Sequence, residues 1–365
     1  MSNLDFNDQI ISNSQLSYKN VNDDEKLPNT HNGLGYKNLI KIQFLLAAFA
    51  DNVKKNGNSC IPLLLIEEPE SHMHPQMQNS FSKYLEVFLN KISNNNIQVF
   101  MTSHSIHIAN TIDFAKIRYA QKSKDGVLYK NLKNFVQSNK ENIDFIKKYL
   151  TLTKCDLFFA DKVILVEGAS ERLLLPDMIK KCNEKHVFDS RKYTLYSQYY
   201  AIIEIGGAFA HKFVPFIQFL EIPCLIITDI DSCSQNSKKT LVSKGELTSN
   251  NTIKWWYNQK KNNNSKVHLK DIISMSEEDK SMGNLHIEFQ TKENGICGRS
   301  LEEAIMNVNR SLFEIPQEAK ENEIEYKGKS KTDFALSLIE KHEDYAIPLY
   351  IKNGLKWLND QNILK

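Results

Sequence analysis

Residues 162–171 read KVILVEGASE, and residues 224–231 read CLIITDID. Each stretch is a short apolar run that ends in acidic residues, which is typical of a buried strand followed by a turn. Residues just past the carboxyl ends of parallel strands face one crevice. The sequence therefore predicts an α/β unit in which Glu167, Asp229 and Asp231 meet, with Glu171 beside them.

These acids form a candidate metal site. Three or four converging carboxylates cannot all stay ionised without cations between them. Mg²⁺ prefers a few carboxylates together with water and phosphate oxygens. Such a set suits two-metal phosphodiester chemistry, in which one ion activates water and the other stabilises the leaving oxygen. Either motif alone also fits ordinary turn residues after a strand, and the two in this order favour the metal site.

The strand–helix–strand rhythm occurs twice along the chain, which predicts two α/β domains with parallel sheets. In the first half, LLLIEE and IQVFMT read as buried strands on either side of an amphipathic helix from about residue 75 to 90. The expected organisation is a polar lead-in at 1–30, a first domain at 31–155, and a second domain at 156–365 with a Lys/Asn-rich insertion at 232–282 and a C-terminal helical part.

Composition excludes several classes of protein. The 365 residues are 41% hydrophobic and 25% charged, which is ordinary globular composition rather than that of a disordered chain or a fibre. The net charge of +2 indicates no partner, so a nucleic-acid surface has to be local. No apolar run is long enough for a membrane span, and residues 1–18 lack the pattern of a secretory signal.

The cysteines point to the cytoplasm. None of the six belongs to a CxxC pair, so we expect buried free thiols in a reducing compartment rather than disulfides or a cysteine zinc site. They are Cys60, Cys155, Cys182, Cys224, Cys233 and Cys297.

The insertion at 232–282 has two readings. Between Lys238 and Lys270 the sequence has eight lysines and one acid, with Trp-Trp-Tyr at residues 255–257 in the middle. This pattern is compatible with a DNA-binding strip, in which Lys238, Lys239 and Lys254 contact phosphates and the aromatic rings stack on bases. The alternative is a solvated loop whose aromatic residues fold back onto the core.

The first half carries a second set of acidic and histidine residues. Glu67 and Glu68 end the strand LLLIE(E), and His104 follows the strand IQVFMT. These residues resemble the strand-end acids and the histidine of ABC-type ATPases, and the resemblance implies that they lie beside a γ-phosphate, where nucleotide hydrolysis requires an acid. In the same resemblance, Gly33 and Gly35 would allow backbone N–H groups to approach a phosphate.

Two observations limit this reading. No GxxxxGK[ST] loop occurs in the sequence, so the cradle for the α- and β-phosphates is missing. The histidine pairs of HMH and HSIH also permit a zinc site, for which the spacing is weak support. Those histidines are His72, His74, His104 and His107.

The motifs resemble known families. VEGASE and TDIDS resemble a Toprim domain, the acidic α/β module of topoisomerases, primases and some nucleases. LLLIEEPESHMHPQ resembles the Walker B strand and D-loop of an ABC-type ATPase, and VFMTSHS and NGLGYKN resemble its H-loop and signature loop. This order is similar to that of the OLD (overcoming lysogenisation defect) nucleases, without the N-terminal Walker A lobe.

The OLD resemblance implies a metal-dependent DNA endonuclease or nickase of bacteria or phage, often in anti-phage defence. It implies Mg²⁺ or Mn²⁺ at Glu167, Glu171, Asp229 and Asp231, and it implies self-association, DNA as substrate and, for some relatives, a UvrD-like helicase partner. Binding of ATP is expected only if another chain supplies a Walker A lobe, and a split gene or a truncated chain would explain its absence.

The resemblance also adds residues from the C-terminal part. An acid of RSLEEAI joins the metal site, which is Glu302 with Glu303 as the alternative. A lysine before the next helix acts at the scissile phosphate, which is Lys331 with Lys329 as the substitute, and Arg299 neutralises a phosphate. The competing readings are a first-turn glutamate and surface basic residues.

A non-catalytic reading stays open. A chain without the phosphate-binding loop is compatible with a DNA-binding or regulatory subunit left by truncation or gene splitting. The complete acidic set disfavours that reading, because a decayed site would lose carboxylates first. A topoisomerase would need a tyrosine on a separate DNA-gate domain, and a primase would need nucleotide-transfer machinery, and neither is indicated.

Overall fold

The structure is a computed structural model of the 365-residue chain. It describes residues 17–19, 26–28, 33–56, 61–92, 97–140, 143–153, 155–188, 193–205, 209–262, 266–328, 330–341 and 344–361. The chain divides into two compact units, residues 1–113 and 114–365. This division comes earlier than the limit near residue 155 expected from the sequence, and the domain limits remain a prediction.

The described residues of the first unit form two small sheets and three helices. Its elements are β1 (Ser17–Lys19), β2 (Lys26–Pro28), α1 (Leu34–Asn56), β3 (Leu63–Glu67), α2 (Pro75–Ile92), β4 (Gln98–Thr102) and α3 (Ile106–Ala109). β1 and β2 pair antiparallel, whereas β3 and β4 pair parallel with Glu67 opposite Thr102. A core cluster that includes Leu46, Phe81 and Leu85 joins α1 and α2 to the sheet. The strand–helix–strand order of this unit follows the sequence pattern.

The prediction that β3 and β4 are buried strands is wrong for one face of their sheet. Exposed and less exposed residues alternate along both strands, and Leu63, Leu65 and Phe100 are 52%, 66% and 59% exposed. Successive side chains of a strand point to opposite faces. Within the described residues of this unit the helices cover one face only, so the apolar run does not imply burial on both sides.

The second unit is built on a five-stranded sheet. Four strands are parallel, in the spatial order β13-β9-β7-β8, and β12 adds antiparallel to β13. The elements up to the middle of this unit are β5 (Arg118–Ser123), β6 (Gly126–Asn131), α4 (Leu132–Ser138), α5 (Ile143–Thr153), β7 (Lys162–Val166), α6 (Ala169–Glu184), β8 (Tyr200–Glu204), α7 (Val214–Leu220) and β9 (Cys224–Ile227).

Short strands and helices make up the remainder. They are β10 (Ser232–Cys233), β11 (Leu247–Thr248), α8 (Asn251–Lys261), α9 (Leu269–Ile273), β12 (Ser281–Met282), β13 (Leu285–Glu288), β14 (Lys292–Glu293), β15 (Ile296–Cys297), α10 (Leu301–Val308), α11 (Lys331–Lys341) and α12 (Leu349–Asp360). The expected α/β class with C-terminal helices is confirmed.

The central strands explain why the acidic motifs converge. Every residue of β7 and β9 is buried, as continuous apolar runs in a parallel sheet require. The two strands are direct neighbours with Leu165 opposite Ile226, so the residues that follow them emerge side by side. α12 packs closely on this sheet at Gly354, where a Cβ atom would come within 2.8 Å of Leu225 Cδ1 and would force that side chain to shift.

The segment 232–282 contains regular structure in its described part, which the loop reading did not predict. Trp256 is on α8, is 1% exposed and donates from Nε1 to the carbonyl of Asp279 at 2.9 Å. The reading in which the aromatic residues fold back onto the core therefore holds for Trp256, and this ring is not a surface for stacking bases. The cause is amphipathic spacing, because Thr252, Ile253 and Trp256 share the buried face of α8.

Among the described helices, none combines the length and the apolar character needed to cross a bilayer.

Candidate active site

Glu167 lies directly after β7 and is held through one oxygen. Thr228, the residue after β9, donates its hydroxyl to Glu167 Oε1. The backbone N–H of Asp229 donates to the same oxygen at 3.2 Å, and so does Nδ2 of Asn250 at 2.8 Å. Glu167 and the start of the Asp-x-Asp motif are thus joined directly, because their strands are neighbours in the sheet.

Asp229 and Asp231 occupy different surroundings. Asp229 is 7% exposed, and its Oδ1 accepts from Gln290 Nε2 at 2.7 Å and from the backbone N–H of Leu301 at 3.1 Å. Asp231 is half-buried, has a left-handed backbone with φ of 46°, and pairs through Oδ1 with Arg299 Nη2 at 3.3 Å. The turn after β9 therefore carries two carboxylates with different partners: hydrogen-bond donors for Asp229 and an arginine for Asp231.

Two further acids come from helix starts. Glu171 is in the first turn of α6 and Glu302 is in the first turn of α10, and both are buried. The hydroxyl of Ser170 lies between them, donating to Glu302 Oε1 at 2.9 Å and lying 3.3 Å from Glu171 Oε2. A carboxylate in the first helical turn is stabilised by the helix dipole, which offsets part of the cost of its burial.

Lys331 provides the cation at this acidic cluster. Its Nζ lies 2.9 Å from Glu302 Oε2 and 3.4 Å from Asp229 Oδ2, and its side chain is 50% exposed. The structure thus brings Lys331 to the carboxylates, whereas Lys329 lies outside the described residues. Glu303 has a different contact, because its Oε2 accepts the backbone N–H of Arg299 at 2.7 Å.

Electrostatics in the crevice oppose ionisation of the acids. Burial raises the pKa of Asp229 well above its ordinary value, and the charges of Glu171, Glu167 and Glu302 raise it further against the lowering effect of Lys331. Burial also raises the pKa of Glu167 and of Glu171. Burial lowers the pKa of the Lys331 ammonium, but the charges of Asp229, Glu302 and Glu171 together raise it above its ordinary value. This mutual dependence is expected where like charges share a site.

The asymmetry of hydrogen bonding fits a divalent metal centre. All donors recorded for Glu167 reach Oε1, and within the described residues none reaches Oε2. Asp229 likewise accepts N–H donors at Oδ1, while Oδ2 faces an ammonium group. Hard oxygen ligands of this kind suit Mg²⁺ or Mn²⁺.

The acids are not gathered at one point: in the described chain, no three of them bring ligand oxygens within 4.8 Å of one another. In two-metal sites the ions lie about 4 Å apart, so their ligands are spread over more than one point.

A different cluster, within the described residues, has three potential metal-ligand atoms within 4.8 Å of one another. It comprises Glu277, His286 and Glu288, of which the last two are buried. Lys280 lies within it, with Nζ 2.9 Å from Glu288 Oε2 and 3.2 Å from Glu277 Oε1. These carboxylates raise the pKa of Lys280 above its ordinary value, so a charged ammonium already balances them. The cluster is explained as an ion-pair network of the core.

The remaining basic residues named from the sequence are near the surface. Lys238 and Lys239 are exposed, and Lys254 extends from α8 with Nζ 3.4 Å from the carbonyl of Ser249. The positive charge of Lys239 lowers the pKa of Asp231 against the larger effect of burial, which indicates that Lys239 lies near the crevice. Their part in DNA binding remains a prediction.

In the first unit, Glu68 and His104 come together. Glu68 Oε1 lies 3.4 Å from His104 Nε2, and both side chains are exposed. The backbone of Glu68 is left-handed with φ of 39°, and its N–H donates to the carbonyl of Thr102 at 3.1 Å. Glu67, the last residue of β3, is exposed beside it. This arrangement places an acid and a histidine at neighbouring strand ends.

Glu70 is a residue that the sequence analysis missed in this unit. Its Oε1 accepts from the backbone N–H of His104 at 2.6 Å and from the hydroxyl of Ser103 at 3.0 Å. It therefore fixes the turn that carries His104. Its position in the acidic run EEPES could have marked Glu70 as a candidate. Its contact with residues 103–104 could not be predicted, because that contact depends on the pairing of β3 with β4.

The glycine loop adjoins the turn after β3. A cavity of about 440 Å³ is lined by residues of both segments, which are Gly33, Leu34, Gly35, Tyr36, His72, His74 and Met77. A Cβ atom at Gly35 would lie 2.4 Å from the carbonyl oxygen of His72, so this contact requires glycine. None of the four histidines proposed for zinc belongs to a ligand cluster within the described residues.

Three residues of the crevice were not found from the sequence. They are Thr228, Asn250 and Gln290, and each hydrogen-bonds one of the motif acids or its backbone. Thr228 directly precedes the Asp-x-Asp motif, so its contact with the site could have been predicted from its position. The two amides lie far along the chain, and no spacing rule connects them to the acids.

Comparison with known proteins agrees with this arrangement. Residues 1–109 match a family described as an AAA ATPase domain, and residues 158–231 match the Toprim domain of proteins like the overcoming lysogenization defect protein. The chain carries an OLD-like Toprim domain after an ATPase-like domain. This pairing confirms the resemblance to OLD nucleases, and a Toprim domain of this type implies dependence on divalent metal ions in general.

The chain is also similar to named nucleases. The chain is 29% identical to "Endonuclease GajA" of Bacillus cereus (strain HuB5-5) over 97% of its own length and 57% of that protein. It is 24% identical to "Old nuclease" of Escherichia phage P2 over 79% of its own length and 51% of that protein. The chain therefore spans about half the length of these relatives.

One solved structure also aligns with this chain. It is the C-terminal region of the Xanthomonas campestris pv. campestris OLD protein. The alignment covers 56% of the present chain and 95% of the solved chain, with 17% sequence identity and a TM-score of 0.33.

Proposed function

We propose that this chain is the nuclease-bearing part of a metal-dependent DNA endonuclease or nickase of the OLD type. The observation that carries the proposal is the crevice at the ends of β7 and β9, where Glu167 accepts hydrogen bonds from the Thr228 hydroxyl and from the backbone N–H of Asp229. Asp231, Glu171 and Glu302 surround them. The named nuclease relatives and the OLD-like Toprim domain support it.

The five carboxylates would hold two ions of Mg²⁺ or Mn²⁺. Bound ions would supply activation of water and stabilisation of the leaving oxygen of a phosphodiester. The protein's own part is to keep ionised oxygens oriented in a largely buried crevice. Glu171 and Glu302 do so from helix starts, and Glu167 and Asp229 do so from strand ends.

Basic residues at the rim would position the DNA backbone. Lys331 is half-exposed beside Glu302 and Asp229, so its ammonium can face a phosphate while staying within the cluster. Arg299 pairs with Asp231 and would contact an adjacent phosphate. Lys238, Lys239 and Lys254 would extend this surface by sequence-independent contacts.

For the ATPase-like unit we propose a gating or assembly role. Glu67, Glu68 and His104 would face a γ-phosphate, with Gly33 and Gly35 in the signature-like loop. Since these 365 residues contain no GxxxxGK[ST] loop, ATP binding would require a Walker A lobe in addition to them. We further propose a cytoplasmic homodimer or higher oligomer acting in anti-phage defence, with a UvrD-like helicase as a potential partner.

The test is cleavage of supercoiled plasmid by the purified chain with Mg²⁺, Mn²⁺ or EDTA. We expect metal-dependent nicking that is lost in Asp229→Asn, a variant that keeps the Oδ1 acceptor for Gln290 and Leu301 but removes the charge. Asp125→Asn, in the β5–β6 turn, is the matched control. Cleavage that persists in EDTA or in Asp229→Asn would refute the proposal. DNA binding without cleavage under any metal would favour the regulatory-subunit reading.

A further inference from the structure

A buried amide connects the 232–282 segment to the carboxylate crevice. Asn250 is 1% exposed and is the N-cap of α8. Its Oδ1 accepts the backbone N–H groups of Thr252 and Ile253 at 2.9 and 3.1 Å. Only the amide oxygen can accept these bonds, so the orientation of the amide is fixed and Nδ2 must point away from the helix.

The nitrogen of Asn250 points into the crevice. Nδ2 lies 2.8 Å from Glu167 Oε1, 2.7 Å from Thr228 Oγ1 and 2.9 Å from the carbonyl oxygen of Asp229. The Thr228 hydroxyl and the Asp229 backbone N–H also donate to Glu167 Oε1. One oxygen of Glu167 is thus enclosed by three donors, and Oε2 is the atom left to face the crevice.

A second buried amide has the same relation to Asp229. Gln290 is 1% exposed, its Oε1 accepts the backbone N–H of Ile230 at 2.8 Å, and its Nε2 donates to Asp229 Oδ1 at 2.7 Å. The backbone N–H of Leu301 donates to the same oxygen at 3.1 Å. Here again the amide oxygen fixes the orientation, one carboxylate oxygen receives the N–H donors, and Oδ2 faces Lys331.

We propose that Asn250 and Gln290 are positioning residues for the metal centre, an inference that rests on the proposed nuclease function. Each occupies one oxygen of a carboxylate, so that Oε2 of Glu167 and Oδ2 of Asp229 are the ligand atoms. Neither amide touches substrate or ion. The segment 232–282 therefore contributes to the site through Asn250, independently of any role in DNA binding. Partners that orient metal ligands in this way generally affect metal affinity strongly.

The decisive variant is Asn250→Ser. Serine is as good a helix N-cap as asparagine, so the start of α8 is retained, but the amide donor to Glu167 is lost. We expect Mn²⁺ affinity, measured by calorimetric titration of the full chain without DNA, to fall roughly 10- to 100-fold. Asn131→Ser is the matched control, because Asn131 also caps a helix of this unit by accepting the N–H of Lys133. It should leave Mn²⁺ affinity unchanged.

Gln290→Met gives an independent measurement at Asp229. Methionine keeps the length of the side chain and removes the amide contacts with Ile230, Asp229 and Tyr350, and we expect a similar loss of Mn²⁺ affinity. Thermal unfolding in EDTA checks that each variant is folded, and if Asn250→Ser is unfolded, Gln290→Met decides the matter alone. Wild-type Mn²⁺ affinity in the folded variants would overturn this inference and leave the nuclease proposal standing. Absence of Mn²⁺ binding by the wild-type chain would overturn both.

Discussion

Removing the ammonium of Lys331 should have opposite effects on metal binding and on cleavage. Its Nζ lies 2.9 Å from Glu302 Oε2 and 3.4 Å from Asp229 Oδ2. Lys331→Met keeps most of the side-chain length and deletes the charge. A cation that competes with the metal for the same carboxylates is then absent, so Mn²⁺ should bind more tightly. A cation that faces the phosphate is absent as well, so cleavage should be slower.

The size of the first effect follows from distance and exposure. Two unit charges 4 Å apart interact by about 1 kcal/mol in water and by about 4 kcal/mol at an effective dielectric constant near 20. The Lys331 side chain is 50% exposed, so the aqueous value is the better guide. A divalent ion at Asp229 would therefore gain ~1–2 kcal/mol on removal of the ammonium, which corresponds to about tenfold tighter binding. Loss of one preorganised charge at a reacting phosphate lowers turnover by about 100-fold or more.

The assay combines Mn²⁺ titration of the chain with plasmid nicking at saturating Mn²⁺. Lys331→Arg retains the positive charge and should keep wild-type Mn²⁺ affinity. Lys356→Met removes an exposed lysine of α12 and should change neither quantity. If Lys331→Met binds Mn²⁺ no more tightly than the wild-type chain, the ammonium does not compete with the metal, and our account of the charge balance is wrong.

Three further outcomes are expected. ATP hydrolysis by the isolated chain should stay at background, because no phosphate-binding loop is present in the sequence, and turnover that is lost in Glu68→Ala would contradict this. Trp256→Ala should lower the free energy of unfolding by about 3–5 kcal/mol in urea titrations, and the half-buried Trp255→Ala should cost less. Gly354→Ala should cost ~1–3 kcal/mol, because its Cβ would meet Leu225 and Glu288, whereas Gly33→Ala, with nothing within 4 Å, should be neutral.

The strand-end acids could be predicted from sequence because the rule that connects them is local. An apolar run followed by Glu167, and another followed by Asp229, is enough to infer neighbouring parallel strands and a shared crevice. Glu302 and Lys331 came from family resemblance, and the structure brings both to Asp229 or its neighbours. Their roles still rest on the experiments above.

Other features could not be read from the sequence, for physical reasons. Asn250 and Gln290 are single amides whose partners lie far away in the chain, and no periodicity marks such contacts. The run LLLIE predicts a strand but not which layers cover it, so the exposure of Leu65 was missed. Lysine and asparagine density indicated a loop at 232–282, yet helix α8 forms there because its apolar residues share one face.

The shared use of Asn250 has a consequence for how this protein tolerates insertions and deletions. One side chain both begins α8 and holds Glu167, and Thr248, two residues earlier, pairs with Ser232 next to the Asp-x-Asp turn. A change of length between Thr248 and Asn250 would therefore shift the donor to Glu167 and the start of α8 at once. A change of length at the exposed residues 235–239, between β10 and β11, would leave that spacing unaltered, so natural variation and engineered fusions should be accommodated there.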